Sequence, residues 1–419
     1  MNTPRRRQLR APAAALIATS LAVFVLSACG GGPPALRIGA VFPLSGPTAA
    51  AAQDEYRGVQ LAVQLAGATS SGRQIQLDVR EVTSASVVQQ AADSLRADGV
   101  PAVVGAYSSS LSIPLAAAVA RDGMVYWETG AVADQVTGQG SPLVFRVGAD
   151  GSDLGGNSGR FVAQQIAPRL GVAPSALTAY LVTVDDAYGH SVADAARAAL
   201  GSSGVAIAGE SVYDAQAPQF TTALAAVRAA HPDVLILSSH VNDGIAFRRA
   251  FLAGDLYVKA FMGTTMAQCY PEFGAALGPD AVGVFASDRP DAGFNPNALD
   301  PPAQALYHRF AAAWTSDTGR APTEEGLAGF SAAWVLFAHV LRTSSPSPSL
   351  IATAARSLDV PQGSLANGGG VRFASDPAHL GQNLRAASVI WQWQGVRRSV
   401  VVWPGVYATG AVTMVPLPA

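Results

Sequence analysis

The 419-residue sequence has few of the residues that build disulfide frameworks, metal sites and phosphate-binding loops. Its two cysteines, Cys29 and Cys269, are too few for a disulfide framework or a zinc site. Lys259 is the only lysine and follows Val258, so the sequence holds no phosphate-binding loop of the G-K-[ST] type. The six histidines are scattered without metal-ligand spacing. We therefore expect no metal and no cofactor.

Charged residues are also scarce, at 13%, while apolar residues make up 49% of the chain. A disordered chain has the opposite balance, so we expect a folded protein of roughly two to three domains. The net charge is −2, and residues 1–28 hold four arginines and no acid, which leaves a mildly acidic body. Because nucleic-acid binding needs a basic stripe, we expect no nucleic-acid partner. The sequence also lacks G-x-S-x-G, H-E-x-x-H, C-x-x-C and dinucleotide motifs, so it does not indicate an enzyme.

The first residues have the features of an export signal. Four arginines precede an apolar run at residues 11–26, which is shorter than the roughly twenty residues of a membrane span. We predict a signal peptide over residues 1–28. Leu26-Ser27-Ala28-Cys29 resembles the lipobox of bacterial lipoproteins, and the glycines and prolines after it predict a flexible tether over residues 29–35. Cys29 would then carry a lipid that anchors the protein to the outer face of the cell membrane or in the periplasm; the alternative is a plain secretory signal.

From Leu36 onward, short apolar runs alternate with stretches of helical periodicity. This alternation predicts an α/β fold, in which a parallel sheet carries helices on both faces. Residues 144–156 hold four glycines and two aspartates, which predict a loop, and the alternation then restarts up to residue 285. Helices over 303–315 and 323–341, a strand over 371–373 and a hairpin over 388–402 follow. The stretch 290–385 has too few strands for a domain, so we expect it to complete the first block.

Five segments in register resemble the leucine/isoleucine/valine-binding proteins, the type I periplasmic binding proteins of ABC importers. The segments are Ile38–Pro47 with Arg57-Gly58, Val103–Ser110, Phe145–Val147, Asp185–Gly189, and Gly381–Pro404. The resemblance covers Leu36 to Pro404. It weakens over residues 361–379, where Pro361-Gln362-Gly363 and His379 are similar to amide- and urea-binding relatives.

The resemblance implies two α/β lobes, each with a parallel sheet and helices on both faces, three crossings and a central cleft. Lobe I would comprise residues 36–147 and 287–385, and lobe II residues 148–286 and 386–419. The implied function is that of a monomeric extracytoplasmic lipoprotein that binds a small polar ligand by hinge closure and serves an ABC permease and ATPase. The alternative is a ligand-sensing receptor subunit with the same fold, which acts through a signalling partner.

The family holds a ligand carboxylate or carbonyl with a serine hydroxyl and with backbone amides at strand-to-helix turns. The resemblance places Ser109 in this role, beside Ser108 and Tyr107. Helix N-termini offer unpaired N–H groups and a partial positive charge, which suits such a ligand. A helix N-cap cluster is the structural alternative for these serines.

The second ligand turn of the family corresponds to residues 127–132. The resemblance implies that the amides of Gly130 and Ala131 contact the ligand. The family's hydroxyl residue is replaced by Val132, and Thr129 is a possible substitute for it. Glu128 is unusual at a strand end, and it either accepts a ligand ammonium group or faces solvent.

The resemblance implies three further contacts from lobe II. Tyr188 matches a family tyrosine that closes over the ligand, and His240 aligns with a second one. Thr265 stands where amino-acid-binding members carry a glutamate for the ligand ammonium group. A threonine does not neutralise that charge, and a buried unpaired ammonium is costly. Either Glu128 takes this role, or the ligand has no ammonium group and is an amide, a carboxylate or an aromatic acid.

Overall fold

The computed structural model describes Met1, residues 34–69 and residues 71–418. The predicted signal peptide, the predicted lipidation site Cys29 and most of the predicted tether lie outside the described residues. In the part that is described, no helix is both long enough and apolar enough to cross a membrane. The description below concerns the compact unit Pro33–Ala419.

The first part of the chain forms a sheet of five strands joined by three helices. The strands are β1 Leu36–Phe42, β2 Ile75–Glu81, β3 Ala102–Gly105, β4 Val125–Glu128 and β5 Val144–Arg146, and the helices are α1 Ala49–Ala66, α2 Val88–Ala97 and α3 Ser109–Arg121. The strands lie in the order β2-β1-β3-β4-β5, and all neighbours are parallel. Every residue of β3 and β4 is buried, as expected of strands covered on both faces.

The second part of the chain repeats this pattern. Its helices are α4 Gly151–Phe161, α5 Ala167–Arg169, α6 Ala187–Ser202, α7 Thr221–Ala230, α8 Val241–Ala253 and α9 Pro271–Leu277, with a π-helical segment Val162–Ile166 between α4 and α5. Its strands are β6 Thr178–Val184, β7 Ala206–Tyr213, β8 Val234–Ser239, β9 Ala260–Met266 and β10 Phe285–Asp288. These five strands are parallel where they pair.

The last part of the chain contributes to both lobes. It contains α10 Pro301–Thr318, α11 Glu324–Trp334 with a π-helical continuation Val335–Val340, α12 Pro348–Arg356, and strands β11 Val389–Gly395 and β12 Arg398–Trp403. The two strands form the predicted hairpin and extend the second sheet to the order β12-β11-β10-β9-β8-β6-β7. Single 3-10 turns lie at Ala85–Val87, Asp134–Val136, Pro174–Ala176, Ala267–Cys269, Gly278–Ala281 and Pro296–Ala298.

Helices α10 and α11 pack on the first sheet. Phe310, Trp314 and Phe330 share one buried cluster with Ile38 and Trp127 of that sheet. The backbones of α1 and α11 touch, because a Cβ atom on Gly58 would lie 2.1 Å from the carbonyl oxygen of Gly326. This close packing fixes the start of α11 beside the ends of the first sheet.

The predicted loop over residues 144–156 is wrong. Residues 144–146 are β5, and α4 begins at Gly151. The glycines serve helix packing, since a Cβ atom on Gly155 would lie 2.0 Å from the carbonyl oxygen of Val192 in α6. Asp150 caps the helix by accepting from the Asp153 N–H at 2.8 Å. The predicted strand over 371–373 is also wrong, because its ends, Val371 and Phe373, form isolated bridges and no strand is described there.

The chain passes between the two sheets three times, after β5, after β10 and before β11. The first and third crossings are tied together. The Arg146 guanidinium donates to Gln382 Oε1 at 2.7 Å, and the Asn383 amide donates to the carbonyl oxygen of Val147 at 2.8 Å. Two sheets joined in this way leave a cleft where their carboxyl ends face each other.

Candidate functional site

A cavity with an empty volume of about 460 Å³, partly open to solvent, lies between the two lobes. Its walls come from Thr48, Tyr107, Ser108, Ser109, Gly130, Ala131 and Val132, from Tyr188, His240, Thr265, Met266 and Tyr270, and from Asp288, Arg289, Glu324 and Glu325. Eight of the ten residues predicted to contact ligand line this cavity. The other two, Glu128 and Thr129, do not.

Ser109 opens helix α3 at the cavity wall. Ser108 is the N-cap residue, yet its side chain makes no capping hydrogen bond. The Ser109 hydroxyl accepts from the Ala133 N–H at 3.1 Å, so its own proton remains available to a ligand. Tyr107, which precedes these serines, has a left-handed backbone with φ of 41°. Such a conformation is costly for a large residue and is often found at functional sites.

Glu128 ends β4 with a carboxylate that is buried inside the first lobe. One oxygen, Oε1, accepts from the N–H groups of Thr129, Gly130 and Ala131 at 2.9, 2.7 and 2.7 Å. The other oxygen accepts from the Tyr126 hydroxyl at 2.9 Å. Burial raises the pKa of Glu128, and these hydrogen bonds offset part of that rise. The amides predicted to hold a ligand are therefore already bound to a carboxylate of the chain itself.

Thr129 also faces into the lobe. Its hydroxyl donates to the carboxyl group of Glu55, which comes from α1 and is fully buried. Burial, together with the charge of Glu128, raises the pKa of Glu55 to about 8. A Cβ atom on Gly130 would lie 1.7 Å from Glu55 Oε2, so a larger residue there would have to displace the buried Glu55 carboxyl group. The second turn is thus built around two buried acids, and neither of them lines the cavity.

Two aromatic rings form the wall that the second lobe contributes. The Tyr188 hydroxyl donates to the carbonyl oxygens of Ser239 and Thr265 at 3.3 and 3.2 Å, and its ring centroid lies 5.1 Å from that of His240. His240 Nε2 lies 2.6 Å from an Asp186 oxygen. Burial disfavours a charged His240 ring, but the hydrogen bond and charge of Asp186 outweigh burial and raise the pKa.

Acidic residues make up the floor of the cavity. The Thr265 hydroxyl donates to the carboxylate of Asp288, which also accepts from the Met266 N–H at 3.1 Å and the Arg289 N–H at 2.8 Å. The Arg289 guanidinium pairs with Glu324 at 2.5 Å. Position 265 carries no carboxylate of its own, while the neighbouring strand supplies one next to it.

A family model described as periplasmic binding protein matches residues 35–392. The chain belongs to this family. Among relatives, the Leu/Ile/Val-binding protein homolog 8 of Brucella abortus is 27% identical over 374 residues, which cover 88% of this chain and 90% of the relative. Homolog 7 of Brucella suis is 24% identical over 402 residues, which cover 94% of this chain and 98% of the relative.

Solved structures show that other proteins share this fold. A leucine-binding protein from Thermotoga maritima has a TM-score of 0.73 at 17% identity, with 88% of this chain and 98% of that chain covered. A solute-binding protein from Rhodopseudomonas palustris, in complex with 3,4-dihydroxybenzoic acid, has a TM-score of 0.69 at 16% identity, with 85% and 93% covered. The predicted type I periplasmic binding protein fold is confirmed.

Several cavity residues of this periplasmic binding protein were missed in the sequence. Asp288 ends β10 and Arg289 follows it, in a part of the chain for which the sequence predicts no ligand contact. Glu324 and Glu325 open α11 after the N-cap Thr323, and the rest of that helix is almost entirely buried. Two acids at the start of an otherwise apolar helix were the available signal, although acids also occur there for capping reasons alone.

Proposed function

We propose that this protein is the solute-binding component of an ABC importer and holds a small polar ligand in the cavity between its lobes. The observation that carries the proposal is the cavity itself, where the start of α3 and the Tyr188–His240 wall face one space. Relatives named as Leu/Ile/Val-binding proteins support an amino acid or a related amide or carboxylate as ligand. The lobes would close on the ligand by bending at the three crossings.

Ser109 would donate its hydroxyl proton to a carbonyl or carboxylate oxygen of the ligand. The first turn of α3 would add its N–H groups, which point along the helix dipole toward the same oxygen. Thr265 would contribute polarity but no charge, since its hydroxyl proton is given to Asp288.

Calorimetry with a panel of aliphatic and aromatic amino acids, short amides, urea and aromatic carboxylates tests the proposal. A ligand that binds only the folded protein should also raise the thermal midpoint. Ser109→Ala should weaken the best ligand roughly tenfold or more, because a hydrogen bond to a charged group is lost. Ser345→Ala, at an exposed serine outside the cavity, is the control. Equal affinity of Ser109→Ala and Ser345→Ala for the best ligand would show that Ser109 does not contact it. No binding across the panel would refute the proposed ligand class.

The lipid anchor on Cys29 is a separate part of the proposal. Its support is the sequence Leu26-Ser27-Ala28-Cys29, with small residues before the cysteine and a glycine-rich tether after it. Cys29→Ser should move the protein from the membrane fraction to the soluble fraction of the cells that express it. Continued membrane attachment of the variant would contradict the anchor.

A further inference from the structure

The walls of the cavity carry more acids than bases. Asp288, Glu324 and Glu325 line it, against the bases Arg289 and His240, and His240 is paired with Asp186. Each of these three acids is buried, with an exposed fraction of 2%, 7% and 4%, respectively. Buried carboxylates need cations or hydrogen-bond donors, so the partners of each acid show what remains unmatched.

Two of the three acids are matched within the protein. Asp288 accepts from the Thr265 hydroxyl and from two backbone N–H groups, and it lies 3.9 Å from the Arg289 guanidinium. Glu324 forms the close ion pair with Arg289. The remaining guanidinium nitrogen Nη1 donates to the carbonyl oxygen of Gly130 at 2.8 Å. Each guanidinium nitrogen of Arg289 thus has an acceptor other than Glu325.

Glu325 has no such partner. Among the described residues, no lysine, arginine or histidine lies within ion-pair distance of its carboxyl group. Its neighbours are the Tyr270 hydroxyl, Glu324 and Asp288, and Tyr270 is linked in turn to the Tyr107 hydroxyl at 2.8 Å. A buried acid that lines a ligand cavity is therefore left with a tyrosine hydroxyl, its own backbone N–H and other acids around it, and with no cation.

We propose that Glu325 binds a positively charged nitrogen of the ligand, so that the ligand class is amines and amino acids rather than neutral amides or simple carboxylates. The inference rests on the proposed function, since it concerns the ligand of the same cavity. Glu325 lies at the start of α11 in the first lobe, whereas the position resembling the family's ammonium-binding glutamate is Thr265 in the second lobe. The cation would thus be held from the opposite side of the cleft.

The protonation of Glu325 also changes near neutral pH, which makes the binding of a cation depend on pH. Burial, opposed by the Tyr270 hydroxyl and assisted by the charge of Asp288, raises the pKa of Glu325 to about 7. Below this pKa the group must lose a proton before it binds a cation. Affinity for an ammonium ligand should therefore rise by up to about tenfold per pH unit below 7 and level off above it.

The test compares three probes with the same hydrocarbon group: L-leucine, 4-methylpentanoate, which lacks the ammonium group, and 3-methylbutylamine, which lacks the carboxylate. Equivalent sets built on valine, isoleucine and phenylalanine extend the panel. Calorimetry between pH 5.5 and 8 should show that the ammonium-bearing probes bind more tightly than the matched carboxylates. Glu325→Gln should weaken them by roughly thirtyfold or more and reduce the rise of affinity with pH to the part that His240, which also lines the cavity, contributes. Glu272→Gln, the same change at an exposed glutamate of α9, is the control.

The outcomes separate this inference from the proposed function. Tighter binding of carboxylates or of neutral amides than of ammonium probes would refute the role of Glu325 and leave the solute-binding function standing. The same holds if Glu325→Gln binds ammonium probes as the wild type does. If neither these probes nor the wider panel bind the wild type, the proposed ligand class and the inference fail together. Glu324 and Asp288 are present in both the wild type and the variant. A difference between the two proteins in how affinity depends on pH therefore reports on Glu325.

Discussion

Replacement of Glu128 by alanine should destabilise the fold, because its carboxylate is the only acceptor described for three consecutive amides. One oxygen of Glu128 accepts from Thr129, Gly130 and Ala131 within 2.9 Å, in a fully buried environment. A buried N–H group without an acceptor costs about 1–3 kcal/mol. Part of the turn can relax, so we expect Glu128→Ala to lower the free energy of unfolding by about 3–5 kcal/mol.

Replacement by glutamine should be much milder. The amide oxygen can accept from the same three N–H groups, and the amide nitrogen can donate to the Tyr126 hydroxyl, which then turns toward Ser112 at 3.0 Å. Glutamine also removes the cost of burying a charge, which is the main cause that raises the pKa of Glu128. We expect Glu128→Gln to cost about 1 kcal/mol or less.

Urea denaturation of the wild type and of both variants measures these differences, and calorimetry with the best ligand measures binding. If Glu128 were itself the residue that accepts a ligand ammonium group, Glu128→Gln would abolish binding at nearly unchanged stability. The structure predicts the reverse pattern, in which the glutamine variant binds nearly as the wild type does. Loss of binding in a stable Glu128→Gln variant would refute the reasoning.

Three further predictions concern stability. The folded-state pKa of Glu55 is about 8 against an ordinary 4.5, so the folded state holds a proton that the unfolded state has lost. The contribution of this proton to the free energy of unfolding is complete at low pH, and it falls by about 1.4 kcal/mol per pH unit as pH rises toward 8. Urea denaturation at pH 6 and 8 should show that the stability of Glu55→Gln depends less on pH than that of the wild type. The same pH dependence in both proteins would contradict this prediction. Gly58→Ala should lower stability by about 1–3 kcal/mol because α1 and α11 must separate, an effect measurable as a lower midpoint in urea. Gly201→Ala, in α6 with open space around it, should instead raise stability by about 0.5–1 kcal/mol, and similar effects of the two alanines would contradict the packing argument.

The sequence predicts the sheets well and the glycine-rich connection poorly, for one physical reason. Apolar runs such as β3 and β4 are strands because burial on both faces requires them, and that requirement is local. The glycines of α4 are helical only because α6 lies against them, with Gly155 in contact with Val192. Local preference favours a loop for such a segment, and tertiary packing overrides it. Asp150, the N-cap residue, is a local signal for a helix within residues 144–156, but the surrounding glycines outweigh it.

The site shows the same division between local and non-local information. Ser109 and Tyr188 lie at the cavity as the resemblance implies, since each follows a strand whose end is fixed by the sheet. The sequence shows Glu128 as an unusual acid at a strand end, but the direction of its side chain depends on the buried space beside β4. The Glu128 carboxylate already accepts hydrogen bonds from the amides of that turn. The N–H groups at the start of α3 are therefore the ones available to a ligand carboxylate. Together with the proposed role of Glu325, the cavity would offer an anion site at one element and a cation site at another, as a zwitterionic amino acid requires.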